Sequence, residues 1–343
     1  MLARRRRRRR AFAVAAGITA VVLAVLLGVV FVGGNSEPRG APRVGSHRRP
    51  ATHTVALSPA GLPLAAPAFA LSGLSSPLTD PLHVAFRRPP RAGLLFNLQT
   101  GQVLWERDPH KRVRIASLTK MMTALLTAEH STSHEAVLIT RRAADMPGSK
   151  VGVLPVGHHV RLETLLYGLL LPSGNDAAVA LAEHVSHRVS TFVRLMNSEA
   201  ARLGMGCTRY SSPSGYYDRG NFSCAADLAV LAREDLLQPR IARVTHTLSA
   251  KLPFPIRGGK LFLYNNNPLL IYRYPGATGL KTGFTEAAGR CLVGTAERDG
   301  VRLGVVILHS TEPGRQARTL LNEGFEDVYH LKPVPEREMP PGA

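Results

Sequence analysis

Hydrophobic and polar positions divide the 343-residue chain into three regimes. Residues 11–34, AFAVAAGITAVVLAVLLGVVFVGG, contain no charge and offer no polar face. That run is long enough to cross a hydrocarbon core of about 30 Å as a single helix. Residues 35–91 are rich in Pro, Ala, Ser and Arg and sustain neither a period of 3.6 nor one of 2, the pattern of a flexible tether. From residue 92 the periods sharpen. GLLFNL, the turn QTGQ and VLWER predict a β-hairpin. Leu118, Met121, Met122, Leu125 and Leu126 follow the spacing of a helix facing a core. A second apolar helix is predicted over 162–171, ending in PSGN; a third begins at DAAVALAEHV with Asn175 or Asp176 as its cap, and a fourth covers 191–203. LKTGFT, RCLVGTAE and VRLGVVILHS return to strand patterns, the last two joined by a tight turn containing Gly300, and RQARTLLNEGFEDVYHL predicts a closing helix. Strands at both ends with helices between them exclude a simple βαβ series. They predict an α+β domain over 92–331, with one antiparallel sheet built from the two ends and helices on its faces. Residues 332–343 are left as a flexible tail.

Charge changes the picture mainly at the N-terminus. The formal net charge is +19, but residues 1–91 hold 14 arginines against only Glu37 and Asp80, so most of the excess lies outside the domain. Seven consecutive arginines at 4–10 directly precede the apolar run and set that flank in the cytoplasm. The expectation is an uncleaved anchor at 11–34, because the run exceeds a signal-peptide core and no small-x-small cleavage site ends it. The domain then lies outside the cytoplasmic membrane on its tether. The arginine run is assigned to topology, and no nucleic-acid partner is expected. The mildly basic domain suits an anionic surrounding such as a cell wall.

Among polar residues, Ser117 and Lys120 stand one helical turn apart in IASLTKMMT. A serine hydroxyl needs a base to become a nucleophile, and a lysine serves when burial lowers its pKa. Two further triplets follow: Ser173-Gly174-Asn175 in the loop between two apolar helices, and Lys281-Thr282-Gly283 at a strand start. Gly283, lacking a side chain, would let a ligand lie against the strand. Each triplet alone is weak; S-x-x-K, S-x-N and K-T-G in this order are specific. The histidine pairs His158, His159 and His184, His187 lack a third ligand at metal spacing, so no metal or cofactor is expected. Cys207 and Cys224 flank a turn-rich segment and leave a disulfide open; Cys291 fits a small buried strand residue.

With these motifs the chain resembles the low-molecular-mass penicillin-binding proteins, the serine D-alanyl-D-alanine carboxypeptidases. ASLTKMMTALL, SGNDAAVALAEHV, FVRLMNSEAARLGM, CAADLAVLA and GLKTGFTEAAGRCLVGTA are similar to family segments in the expected order over 93–331. The resemblance implies a penicillin-recognising fold, with a central antiparallel sheet, an all-helical subdomain and the site between them. It implies Ser117 as nucleophile, Lys120 as its base and Ser173 as proton relay to the leaving amine. Asn175 would hold the substrate amide, Lys281, Thr282 and Gly283 would bind the terminal carboxylate, and the backbone N–H groups of Ser117 and Phe284 would form the oxyanion hole. The implied partners are peptidoglycan stem peptides ending in D-Ala-D-Ala and β-lactam antibiotics. A β-lactamase-like hydrolase and a wall-binding or penicillin-sensing protein without turnover are the alternatives. Cys224, where the family usually has Ser or Thr, and the loop SGYYDRGN depart from the pattern.

Overall fold

The computed structural model describes residues 69–74, 82–217, 219–255, 258–335 and 339–340. The segments expected as cytoplasmic flank and membrane anchor lie outside the described residues. Among those described, no helix is long and apolar enough to cross a membrane.

The domain is built on five strands: β1 (Ala92–Asn97), β2 (Val103–Arg107), β3 (Ala277–Thr285), β4 (Gly289–Arg298) and β5 (Val301–Ser310). Their order is β2-β1-β5-β4-β3, antiparallel throughout. β1 lies beside β5, with Ala92 opposite Leu308 and Asn97 opposite Leu303, so the two ends of the domain meet inside one sheet as expected. The strands read as continuous apolar runs because both faces are covered. Leu94, Phe96, Val293, Val306 and Leu308 point into one core, while Leu95, Leu292, Val305 and Ile307 point into the other. The second core is closed by Leu320 and Leu321 of the C-terminal helix and by Phe325.

The first core is filled by helices. A 3₁₀ turn, Ala116–Leu118, leads into α1 (Thr119–His130); α2 (Leu162–Leu170), α3 (Asn175–Ser186), α4 (Val189–Arg202), α5 (Ala225–Leu237) and α6 (Pro239–His246) pack around α1. Every residue from Thr119 to Thr127 is buried, Lys120 included, so α1 is a central helix, covered beyond the core-facing side that its spacing shows. α7 (Pro313–Glu323) starts at a proline and gives way to a π turn, Gly324–Val328, which shortens the predicted closing helix.

Two boundaries differ from the sequence reading. Residues 69–74 and 82–91, counted with the tether, pack on the domain: Leu82 is buried with its N–H on Leu104 O, and Trp105 Nε1 donates to Val84 O. Phe86 meets the Trp105 ring edge to face, and Phe69 lies against Phe96. At the other end Val334 and Met339 of the expected tail join the second core. Neither stretch has a period because neither is regular structure; isolated apolar side chains fill gaps at the sheet margins.

Candidate active site

β3 is an edge strand, and the 3₁₀ turn bearing Ser117 is pressed against it. Gly283 makes that approach possible. A Cβ built there would sit 2.9 Å from Ile115 O and 3.1 Å from Ser117 N. The space expected for a ligand is thus filled by the backbone of the turn that bears Ser117, and glycine is required for protein-to-protein contact. The other side of the turn is held by Gly215, at φ +72°, where a Cβ would fall 2.0 Å from Ala116 O. Ala116 itself is left-handed at φ 46°. A non-glycine residue there costs about 1–3 kcal/mol and persists only where its surroundings over-determine it.

α1 carries Lys120 one turn beyond Ser117. Its Nζ donates to Ser117 Oγ at 2.9 Å, to Asn175 Oδ1 at 2.7 Å and to Ser214 O at 2.7 Å. Asn175 Nδ2 donates to Pro147 O at 2.7 Å, which orients the amide so that its oxygen faces the lysine. The ammonium is fully buried, and this burial pushes its pKa well below that of an ordinary lysine; the nearby Lys281 charge pushes the same way, and Asp176 opposes both. Two of the three neighbours, an amide oxygen and a carbonyl oxygen, can only accept. A neutral amine keeps its two hydrogens on them and turns its lone pair toward Ser117 Oγ, the one neighbour with a proton to give. The cage therefore selects the direction of proton transfer.

Ser173 sits in the loop between α2 and α3 at φ 67°, and its buried Oγ has no hydrogen-bond partner among the described residues. Asn175 begins α3. Its N–H donates to Ser149 O at 2.7 Å, while Asp176 Oδ1 and Oδ2 accept from Val151 N and Gly152 N, each at 2.9 Å. These bonds fix the 147–152 loop beside Ser117. Gly174, and neither of the two predicted residues, is the helix N-cap. Asn175, expected to meet substrate, is 2% exposed, is hydrogen-bonded to Lys120 and Pro147, and also borders the outer of two cavities beside Ser117.

Ser117 opens onto two cavities. The inner one, about 340 Å³, is bounded by Ser117, Ser173, Thr282, Tyr272 and Arg290; the outer, about 820 Å³, by Ser117, Ser149, Arg114, Tyr217 and Glu286. Phe284 borders both and is 59% exposed. Lys281 borders neither. It is 1% exposed, donates to Thr282 O at 2.9 Å, and burial lowers its pKa to about 7. Ser149, Ser214, Asp176 and Arg290 are site residues that sequence motifs do not reveal; Ser214 contributes only a main-chain oxygen, for which residue type is no signal.

Cys207 and Cys224 are joined in a disulfide, with Cα atoms 5.7 Å apart, closing the segment that carries Ser214. Cys291 is buried in β4.

A central antiparallel sheet, a helical cluster and a serine-lysine pair between them define the penicillin-recognising fold. The chain belongs to the D-alanyl-D-alanine carboxypeptidase family of S11 peptidases, whose model matches residues 90–312. It is 37% identical over 245 residues to D-alanyl-D-alanine carboxypeptidase DacB2 of Mycobacterium tuberculosis, covering 69% of this chain and 82% of that protein. Identity to DacF of Bacillus subtilis is 32% over 255 residues, 72% of this chain and 64% of the relative. The chain thus spans slightly less than two thirds of that relative's length. A solved structure of the Streptomyces K15 DD-transpeptidase superposes with a TM-score of 0.66 at 31% identity, over 70% of this chain and 99% of the other.

Proposed function

We propose that this protein is a serine D-alanyl-D-alanine carboxypeptidase that trims the terminal D-alanine from peptidoglycan stem peptides and is acylated by β-lactams at Ser117. The observation that carries this reading is the three-acceptor cage around Lys120 Nζ, with Ser117 Oγ as its one proton-bearing member.

The chemistry follows from the geometry. Neutral Lys120 takes the Ser117 hydroxyl proton as Oγ bonds to the carbonyl carbon of the penultimate D-alanine. The carbonyl oxygen turns anionic beside the N–H groups of Ser117 and Phe284, where the near contact of Gly283 with Ser117 N brings strand and turn together. The C–N bond breaks as the proton passes through Ser173, whose Oγ is otherwise uncommitted, to the leaving amine. Water then attacks the ester, with Lys120 again accepting the proton, and Ser117 is released. No metal or cofactor has a part in these steps. A β-lactam presents a strained amide to the same oxygen and leaves an ester on it. Thr282 of β3 borders the leaving-group cavity, in keeping with a role toward the terminal carboxylate.

The domain is proposed to work outside the cytoplasmic membrane, tethered by residues 11–34, on the strength of the arginine run and the uncharged segment after it. Intact-mass spectrometry tests the catalytic reading. Incubation with a D-Ala-D-Ala muropeptide should shorten the peptide by one D-alanine, and a penicillin should add once, at Ser117. Label retained by Ser117→Ala would reject it. Fractionation tests the tether: recovery of a mature chain beginning after residue 34 in the medium would replace anchor with cleaved signal.

A further inference from the structure

The outer cavity beside Ser117 is bordered by a segment with its own covalent frame. The Cys207–Cys224 disulfide closes the stretch that carries Tyr216, Tyr217 and Arg219, and the pairing of Arg114 with Phe222 ties its base to the strand leading into the turn that bears Ser117. Within this stretch the backbone is pinned. Asn221, fully buried, donates from Nδ2 to Tyr217 O at 2.8 Å, and Ser211 Oγ donates to Arg219 O at 2.7 Å. Tyr216 is set against the 147–152 loop, since a Cβ built on Gly148 would fall 2.6 Å from its ring. Tyr217 meets it edge to face, with ring centroids 5.2 Å apart.

The charged side chains on this frame are left free. Among the described residues Arg114, Arg219 and Glu286 are the charged ones bordering the outer cavity; all are exposed, and none makes an ion pair or side-chain hydrogen bond with a described residue. Because the backbone beneath Arg219 is already ordered, a ligand that meets this side chain has little ordering to impose. Tyr217, 57% exposed, adds an aromatic wall.

The direction of the cleft says which part of a substrate lies there. In the reaction proposed above the inner cavity takes the departing D-alanine, so the acyl side of the stem peptide runs along the edge of β3 past Phe284 toward Glu286. The residue before the penultimate D-alanine has its Cα only about 3.8 Å from that alanine's. Its side chain therefore enters the outer cavity. Two cations and one anion on that rim match a side chain ending in both a carboxylate and an ammonium, whereas the lone ammonium of a lysine would meet a net positive charge.

We infer that Arg219 and Arg114 bind a carboxylate, and Glu286 the ammonium beside it, at the side-chain end of the stem peptide's third residue. The preferred substrates are then stem peptides with a diamino diacid at that position, in place of lysine. This rests on the carboxypeptidase reading and gives that reaction a preference among stem peptides. The planar guanidinium suits the carboxylate because it offers two parallel donors.

The test uses the full chain and pentapeptides L-Ala-γ-D-Glu-X-D-Ala-D-Ala, with X as meso-diaminopimelate, its side-chain carboxamide, its side-chain N-acetyl derivative, or L-lysine. Release of D-alanine is followed at low ionic strength in the wild type, Arg219→Gln and Glu286→Gln, and melting temperature checks folding. Wild-type kcat/KM should favour the free diamino diacid over each of the other three about tenfold, mainly through KM, the scale of one hydrogen-bonded charge pair. Arg219→Gln should erase the preference over the carboxamide and keep that over the N-acetyl peptide; Glu286→Gln should do the reverse. Such a crossed pattern is not produced by a general loosening of the loop. Variants that lower all four peptides by one factor, or that lose both preferences together, would overturn the inference. So would a wild type that cleaves the four peptides equally or prefers lysine, with penicillin still taken on Ser117. A wild type that cleaves none of them and takes no penicillin would overturn the carboxypeptidase reading itself, and this inference with it.

Discussion

Lys120 Nζ stands 2.9 Å from Ser117 Oγ, with no exposed surface of its own and its other two bonds fixed on Asn175 and Ser214. The pair can exchange a proton with little reorganisation, because both partners are already held by the fold.

Lys120→Arg should accordingly lower the rate of penicillin acylation at least about a hundredfold, the usual scale of a general base, since guanidinium cannot accept a proton. In the wild type the rate should climb with pH through a pKa well below the ordinary lysine value, because burial and the Lys281 charge favour the neutral amine. Stopped-flow acylation across pH reads both. An arginine variant within about tenfold of wild type would require another base.

The two glycines flanking the nucleophile turn should be separable by substitution. Gly283→Ala should cost about 1–3 kcal/mol by overpacking against Ile115 O and should also slow acylation, because β3 must move off Ser117. Gly215→Ala should cost more, with both a positive φ and a backbone oxygen 2.0 Å away. Gly157→Ala is the control: φ is +80°, nothing lies within 4 Å, and the cost should be only the roughly 1–2 kcal/mol of a left-handed alanine, with acylation unchanged. Urea unfolding and acylation rates on the three variants test the ranking.

Lys281 should make folding pH-dependent in the alkaline direction. Burial lowers its folded pKa to about 7, against roughly 10.4 when unfolded. Below pH 7 both states hold the proton. Between these values only the unfolded state does, so stability rises with pH across that window. Lys281→Met lacks the group, and its stability relative to wild type should therefore fall steadily from pH 6 to pH 10. A difference that stays flat over that range in denaturant titrations would contradict the burial of this lysine.

The disulfide closes a separation of 17 residues and should contribute about 3 kcal/mol by restricting the unfolded chain. Cys224→Ser, or the wild type with reductant, should lose about that much in urea unfolding. Acylation should slow as well, because the closed segment holds Ser214 O on Lys120. Identical stability with and without reductant would argue against a bonded pair in solution.

Side-chain chemistry was legible in the sequence wherever a motif needs a particular residue type. Ser117 with Lys120, Ser173 with Asn175, and Thr282 all border or build the cleft, and the pairing of the two ends of the domain followed from where strands and helices alternate. Ser214 was not legible, since any residue offers a carbonyl. Arg290 was hidden because one arginine at a strand start has no motif around it; only register shows which face it shares. The burial of Lys281 was not legible either, since strand alternation in LKTGFT sets Lys281 and Thr282 on opposite faces without showing which face is covered. The hairpin of Ser249–Pro253 with Lys260–Tyr264 interrupts the helical stretch without changing the site. The packed part of the tether escaped notice because Phe69, Leu82 and Phe86 obey no period.

Pairing Ala92 with Leu308 also sets when this protein can first become reactive. The sheet centre joins positions more than two hundred residues apart, and closing so long a loop is slow compared with forming local helices. Ser117 and Lys120 leave the ribosome early, yet the edge strand that faces them follows about 160 residues later and is held by β4 and β5, the last strands made. An emerging chain thus passes through synthesis with its serine and lysine present and its cleft unassembled. Reactivity is therefore expected only once the final strands are in place, and a chain cut short before β5 should take no penicillin.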